Sequence, residues 1–448
     1  MLRKIRKLLL HPNLYFYDYF RKKLGFKKYF VTDKIRLLDA GNHQKWHRLI
    51  FSHPYLYFYY KFRKRLHKPA YPILVDYRID TQENVMGGGK RTVLAVELER
   101  HNIIYFADPA IVQKAIDNLD PYLAGKISTF TFQGNGNTVF LDTKVRLGRH
   151  AKISVAGDNN YLNFEEGTTI SDGVIDFYGD MNLCSIGKCC LLGLNTNFIF
   201  NGDRNTLITK NNVSFKVGTK IIFQNNNNLA YFGEETKILT SSTFDFKSDS
   251  ALMYISGQCA FQSSSISFRT NTILFFGYGC SINPNFVCSL LEAKNVIIGS
   301  DCMFSHQIHL RNATSHAIYE GSSKKRIARG QSIIIGEHVW FGFGVKVVKG
   351  VNIGKGSMIG AYSVVSKDIP DECMAAGNPA EVRKGNILWT RAGPGEGSEE
   401  KFAEFEIYRE PIKKITPIGW DRLLMIDGIL SSISTKDKLK QIQRILND

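Results

Sequence analysis

Ser315 and His316 stand at the start of a polar excursion that interrupts a regular apolar pattern. A hydroxyl is a poor nucleophile near neutral pH. An imidazole carried on such a loop can accept its proton as it attacks an acyl carbon, and a positioned base typically contributes about 10²–10⁴-fold. The combination points to acyl-transfer chemistry. A lone histidine is more often structural, and the neighbouring His306, His309 and His338 are read that way.

The elements that must position His316 follow from the pattern it interrupts. Ile335, Phe341, Val347, Ile353, Ile359 and Val365 recur at every sixth residue. Four residues after each of the first five come Val339, Val345, Val351, Ser357 and Ser363, all small or β-branched. Neither a helix nor an ordinary strand has a period of six. A triangular parallel β-solenoid does, with one short strand per side and three sides per coil. The same beat appears upstream at Ile298, Phe304 and Leu310, and it breaks where the excursion begins.

A second periodicity begins near residue 128. Gly134-Asn135-Gly136-Asn137, Gly157-Asp158-Asn159-Asn160, Gly179-Asp180-Met181-Asn182, Gly202-Asp203-Arg204-Asn205 and Asn225-Asn226-Asn227-Asn228 return every 22–23 residues, each followed by alternating apolar residues. Each cluster is read as a solenoid corner. Gly and Asn accept left-handed backbone there, and Asn side chains can hydrogen-bond from coil to coil. The longer repeat predicts bulged corners.

The 448 residues have room for two or three domains. The net charge of +17 is unevenly placed: residues 1–68 hold 18 Lys and Arg against Asp18, Asp33 and Asp39, so the excess belongs to an arm and not to the body. Within it, His11–Leu24 and His53–Leu66 match at ten of fourteen positions, each with aromatics beside a basic cluster. This arm, residues 1–70, is expected to be helical and to meet an anionic membrane surface or a membrane-bound complex. A helical hairpin packed on the body, or a nucleic-acid contact, are its alternatives. Residues 71–127 read as a small α/β segment with strands at TVLAVEL and NIIYFA and a helix over 108–123. Gly87–Lys90 lacks the spacing of a phosphate loop and is a turn. Residues 128–392 form the solenoid, with the candidate catalytic part at 296–390. Residues 393–448 are a linker and a tail whose segment 436–446 is an amphipathic helix.

Eight cysteines without a CxxC pair are read as reduced thiols used as small core residues, and no metal-ligand spacing occurs. No signal peptide and no stretch of 18 uncharged apolar residues is found, so the chain is expected in the cytoplasm, at the inner membrane by way of its arm.

The block from Val296 to Trp389 resembles the hexapeptide-repeat acyltransferases, and among them the capsular and lipopolysaccharide O-acetyltransferases. The matching stretches are Ile298–Cys302, Leu310-Arg311, Ser315–Tyr319, Ile335–Gly342, Ile359–Val365 and Ala376–Ala380. The resemblance implies a mainly β fold, a left-handed parallel β-helix, and a homotrimer with acetyl-coenzyme A in a cleft between subunits and no metal. It implies His316 as general base and Trp340, 24 residues later, as a wall of the pocket. Backbone near Gly342 would hold the oxyanion. Phe343, Ala361, Ser366, Lys367, Arg383 and Lys384 would line the cofactor. The acceptor would be a capsular or lipopolysaccharide glycan, and nucleic acid is not expected. Related sequences often carry an acidic residue two positions before the histidine. Here Thr314 stands there, so Glu320 or a main-chain carbonyl is the candidate for orienting His316. The basic loop 321–331 is read as a lid over a glycan or as an exposed loop. N-acylation of a nucleotide-linked amino sugar, and a non-catalytic glycan-binding solenoid, are the alternatives.

Overall fold

The computed structural model describes residues 133–142, 144–148, 151–393, 405–408, 417–429 and 433–447, together with the strand backbones Phe30–Val31, Ile73–Leu74, Gln82–Glu83, Thr92–Leu98, Asn102–Phe106 and Thr129–Phe132. The expected helical character of residues 1–70, the helix over 108–123, the turn at 87–90 and most of the linker from 393 lie outside the described residues.

The body is a parallel β-solenoid with three sheets of 13, 12 and 11 strands, here called I, II and III in the order the chain visits them. Strands one coil apart pair in parallel and in register, as Trp340 does with Met303 on one side and Met358 on the other. All eleven residues of the six-residue beat and its companions face inward and are buried, so the period of six is the period of one triangle side. The strands Thr92–Leu98 and Asn102–Phe106 fall where the sequence places them. They are antiparallel to each other, and Asn102–Phe106 continues sheet I by pairing in parallel with Thr138–Leu141. Sheet II ends in the antiparallel pair Met374–Gly377 and Ala380–Lys384.

The Asn-rich clusters form the corner between sheets III and I. Asn137, Asn160, Asn182, Asn205 and Asn228 each accept, through Oδ1, the backbone N–H at the matching corner of the next coil, at 2.8–2.9 Å. Asp158, Asp180, Asp203 and Asn226 do the same one step outward for the N–H of the preceding coil. The glycines of these clusters are not the left-handed residues, contrary to expectation, except Gly136. That conformation falls on Asn159, Met181, Arg204 and Asn227. Gly157, Gly179 and Gly202 are required by stacking: a Cβ on Gly179 would lie 2.2 Å from the carbonyl oxygen of Gly202.

Two helices follow the solenoid, α1 (Trp420–Asp427) and α2 (Thr435–Asn447). The second contains the amphipathic segment 436–446. Both cover the outer face of sheet I, where Leu229, Tyr231, Leu252, Tyr254, Ile273, Phe275, Ile297 and Ile334 pack against Leu423, Ile426, Leu439 and Ile442. Asp427 fastens the cover by accepting from Asn295 Nδ2 (2.8 Å) and Ser332 Oγ (2.7 Å). The eight cysteines are free thiols; seven are buried and Cys189 is exposed. Burial pushes the Cys184 and Cys288 thiols well above their ordinary value, which keeps them inert.

Candidate active site

The excursion, residues 312–332, leaves the solenoid between the strands His309–Arg311 and Ile333–Ile335, on the corner between sheets III and I. His316 sits at its exposed start. Two side chains shape the backbone around it. Arg311 donates from Nε to the Ala313 carbonyl (3.2 Å) and from its terminal nitrogen to Ser315 Oγ. Thr314 Oγ1 donates to the His316 carbonyl (2.9 Å). The residue at the expected acidic position therefore holds the main chain of His316 and not its ring. The ring has no hydrogen-bond partner among the described residues. Glu320 does not supply one: its carboxylate accepts from Ser323 Oγ.

The stretch read as a basic lid or as an exposed loop lies within a tied, exposed hairpin. Ile318–Glu320 runs antiparallel to Lys325–Ile327, with Ile327 N–H donating to the Ile318 carbonyl and Glu320 N–H to the Lys325 carbonyl, both 2.9 Å. It exposes Ile318, Tyr319 and Ile327. Glu292, on the coil beneath, anchors it by accepting from Gly330 N–H (2.7 Å) and from Arg326. The Gly330 amide first, then Arg326 and Lys349, hold the Glu292 carboxyl below its ordinary value against a smaller opposing effect of burial. A carboxyl depressed in this way stabilises the anchored hairpin at pH above its free value. That contribution is lost as pH falls through the depressed value. Protection of the amides over residues 318–330, relative to their intrinsic exchange at the same pH, is thus expected to be high at neutral pH and to fall only below the usual carboxylate range. Glu292→Gln should show fast exchange already at neutral pH, and equal exchange in the two chains would remove Glu292 as the anchor.

Trp340, half-buried, opens a strand of sheet II, and its ring lies 5.8 Å from that of Trp389. Gly342 corrects an expectation. Its N–H is already used, donating to the Ile359 carbonyl at 2.8 Å, and its lack of a side chain serves coil stacking, since a Cβ would meet Ala361 N at 2.8 Å. The backbone N–H groups of Phe343 and Ala361, on the same corner between sheets II and III, donate to no residue among those described. The Phe343 ring meets Tyr362 edge-on at 5.3 Å, and Tyr362 is largely exposed.

Ser366 and Lys367 are exposed on the corner between sheets III and I, one coil beyond Lys349, whose Nζ donates to the Arg329 carbonyl of the excursion (2.6 Å). Arg383 and Lys384 are exposed on the last strand of sheet II. Arg383 is partly occupied, by the Ala376 carbonyl (3.3 Å) and the Glu381 carboxylate (3.6 Å). Lys384 has no ion partner among the described residues and is the freer of the two to meet a phosphate. One chain therefore gathers Phe343 and Ala361 on one corner and His316, Ser366 and Lys367 on another.

Sequence reasoning missed one cluster altogether. His338, Asp301, Trp389 and Arg391 form a bonded group beside Trp340. His338 was expected to be structural and is bonded at both ring nitrogens. His309 lies beside Lys346 in the register of sheet III, and burial, then that lysine, lowers its proton affinity. Among the described residues no group of three or more His, Cys, Asp or Glu side chains could hold a metal ion.

No model of a known protein family matches the chain. Individual relatives do. A polysialic acid O-acetyltransferase of Escherichia coli O1:K1 / APEC is 41% identical over 102 residues, which are 23% of this chain and 33% of that protein. A galactoside O-acetyltransferase of Lactococcus lactis is 37% identical over 107 residues, 24% of this chain and 51% of that one. A polysialic acid O-acetyltransferase of Neisseria meningitidis is 31% identical over 146 residues, 33% of this chain and 67% of the relative. The chain thus spans one third and about half of the length of the first two.

Proposed function

Because the chain belongs to the hexapeptide-repeat acyltransferases, the family of these relatives, we propose that it moves an acetyl group from acetyl-coenzyme A to a hydroxyl of a capsular or lipopolysaccharide glycan. The observation that carries this reading is the presentation of His316. The strict coils are interrupted once, the interruption is tied down by Arg311, Thr314 and Glu292, and the ring is left exposed and, among the described residues, unpartnered. Such a ring is available to take the proton of an attacking hydroxyl.

Acetyl-coenzyme A would supply the thioester. The free N–H groups of Phe343 and Ala361 fit the role first given to Gly342, donating to an oxygen that gains charge. Lys384 would meet the nucleotide phosphates, helped by Arg383, with Ser366 and Lys367 on the flank. Phe343, Ala361, Arg383 and Lys384 lie apart from the corner that His316 shares with Ser366 and Lys367 within one chain. A homotrimer, in which the His316 hairpin of one copy meets the Phe343–Ala361 corner of the next, would bring them together. The exposed Ile318, Tyr319, Ile327 and Tyr362 supply apolar surface for that contact. The basic aromatic arm of residues 1–70 would set the enzyme against the anionic inner membrane, where such glycans are assembled; among the described residues no helix is long and apolar enough to cross it.

The test is incubation with labelled acetyl-coenzyme A and a panel of anionic and neutral capsular polysaccharides, with NMR to locate any new ester. Label appearing as an O-acetyl ester on a glycan supports the reading. Label found only on an amino group would replace it with N-acylation, and no transfer combined with glycan binding would replace it with a binding role.

A further inference from the structure

After the last strand, Ala380–Lys384, the chain does not leave the solenoid. It turns back and runs along the corner between sheets I and II, touching one coil after another. Ile387 N–H donates to the Glu372 carbonyl (2.9 Å). Trp389 reaches the coil of His338, and Arg391 reaches the coils of Asp301 and Gly279. These corner residues all have left-handed backbone, which turns the chain outward at each level.

The bonds along this path are reciprocal. Trp389 Nε1 donates to the His338 carbonyl (3.0 Å), and the Trp389 carbonyl faces His338 Nε2 (3.0 Å). The two rings stack at 3.8 Å and 9°. His338 Nδ1 meets Asp301 Oδ2 at 2.7 Å. A carbonyl and a carboxylate are both acceptors, so the ring holds both bonds only when both nitrogens carry protons. Arg391 completes the group: it bonds Asp301, Ser281 Oγ (2.8 Å), and the carbonyls of Gly279 (3.1 Å) and Cys302 (2.9 Å). Burial pushes the Asp301 carboxyl up, but His338 and Arg391 together outweigh it and hold it below its ordinary value. Trp389 is 8% exposed, so its ring is not offered to a ligand. The Trp340 ring lies beside it, with centroids 5.8 Å apart and planes tilted at 44°.

We propose that residues 387–391 are a strap that fixes the Trp340 indole in the wall of the substrate edge. Trp389, His338 and Arg391 are its positioning residues, and none of them touches the reacting atoms. The proposal rests on the acyl-transfer reading above for the use made of Trp340, but the placement of the ring can be tested without it.

The full chain labelled with 5-fluorotryptophan gives four ¹⁹F lines, for Trp46, Trp340, Trp389 and Trp420. The line lost in Trp340→Phe identifies Trp340. In Trp389→Ala that line is expected to move toward the free amino acid and sharpen, while those of Trp46 and Trp420 stay. Arg391→Gln loosens the far end of the strap without removing a ring and should give a smaller shift in the same direction, which covers the case of a misfolded Trp389→Ala. With a competent acceptor, Trp389→Ala should raise KM more than it lowers kcat, with a combined loss on the order of 10- to 100-fold. Trp389→Phe, which keeps a ring beside both His338 and Trp340, should recover most of that loss. A Trp340 line unmoved in both variants overturns the strap whatever the activity. Absence of transfer by the unaltered chain would instead remove the acyl-transfer reading and leave the ¹⁹F result standing.

Discussion

His316→Ala is expected to lower acetyl transfer by about 10²–10⁴-fold, the range lost when a positioned general base is removed. The fold should not change with it. The ring is exposed and bonded to nothing among the described residues, and the backbone of the excursion is held by Arg311, Thr314 and Glu292 instead. The urea midpoint and the oligomeric size of the variant should therefore match those of the unaltered chain. The measurement is the initial rate of coenzyme A release, followed as free thiol, with and without a glycan acceptor. His306→Ala and His309→Ala are the controls. Both residues lie on the coil before the excursion, His309 on its strand of sheet III and His306 at the turn before that strand, and their loss should leave most of the rate. A full rate in His316→Ala, or an equal loss in His309→Ala, would move the base elsewhere. Thr314→Val separates chemistry from placement: it removes only the bond to the His316 carbonyl, so a partial loss is expected.

Much of the frame around His316 is legible because the solenoid is built from nearest neighbours. The side-chain direction at Ile335, Phe341 and Val347 depends only on the local period, so reading the period is enough to bury them. The excursion is legible for the same reason, as a break in the beat. What stayed hidden depends on contacts between distant parts of the chain. Glu292 reaches residues 34 and 38 positions on, and Arg391 reaches residues 89 to 112 positions back. No local pattern encodes such pairs. The cover over sheet I did leave a trace. Leu229–Phe232, Leu252–Ile255 and Ile273–Phe276 are apolar at every position, as expected of strands buried on both faces. The Gly157 and Gly179 corners were given the right residue for another reason, because a glycine demanded by stacking and one demanded by left-handed backbone look alike in a sequence.

Phe223→Ala is expected to destabilise the solenoid by about 3–5 kcal/mol, the usual cost of emptying a fully buried phenylalanine site. Phe177, Phe200, Phe223, Phe246 and Phe268 form a stack at the inner end of sheet III, with ring centroids 4.5, 4.9, 4.7 and 4.3 Å apart. Phe223 is the middle ring and completely buried, so its removal takes away two ring contacts and opens a cavity between coils. The in-register strands on either side, fixed by their hydrogen bonds, cannot close that gap. Lys220→Ala, exposed on the same strand, should change stability by less than about 0.5 kcal/mol. A solenoid adds a second consequence. Each coil is held mainly by its neighbours, so weakening one interface should split the unfolding transition. The coils before residue 223 would open first in urea. Those carrying His316 and Trp340, sealed on sheet I by α1 and α2, would stay closed. Hydrogen exchange along the chain should then show early exposure of residues 133–217 at urea concentrations where acetyl transfer to a short acceptor persists. A single transition with unchanged slope and simultaneous loss of activity would mean that the long coils and the candidate catalytic coils fold as one unit.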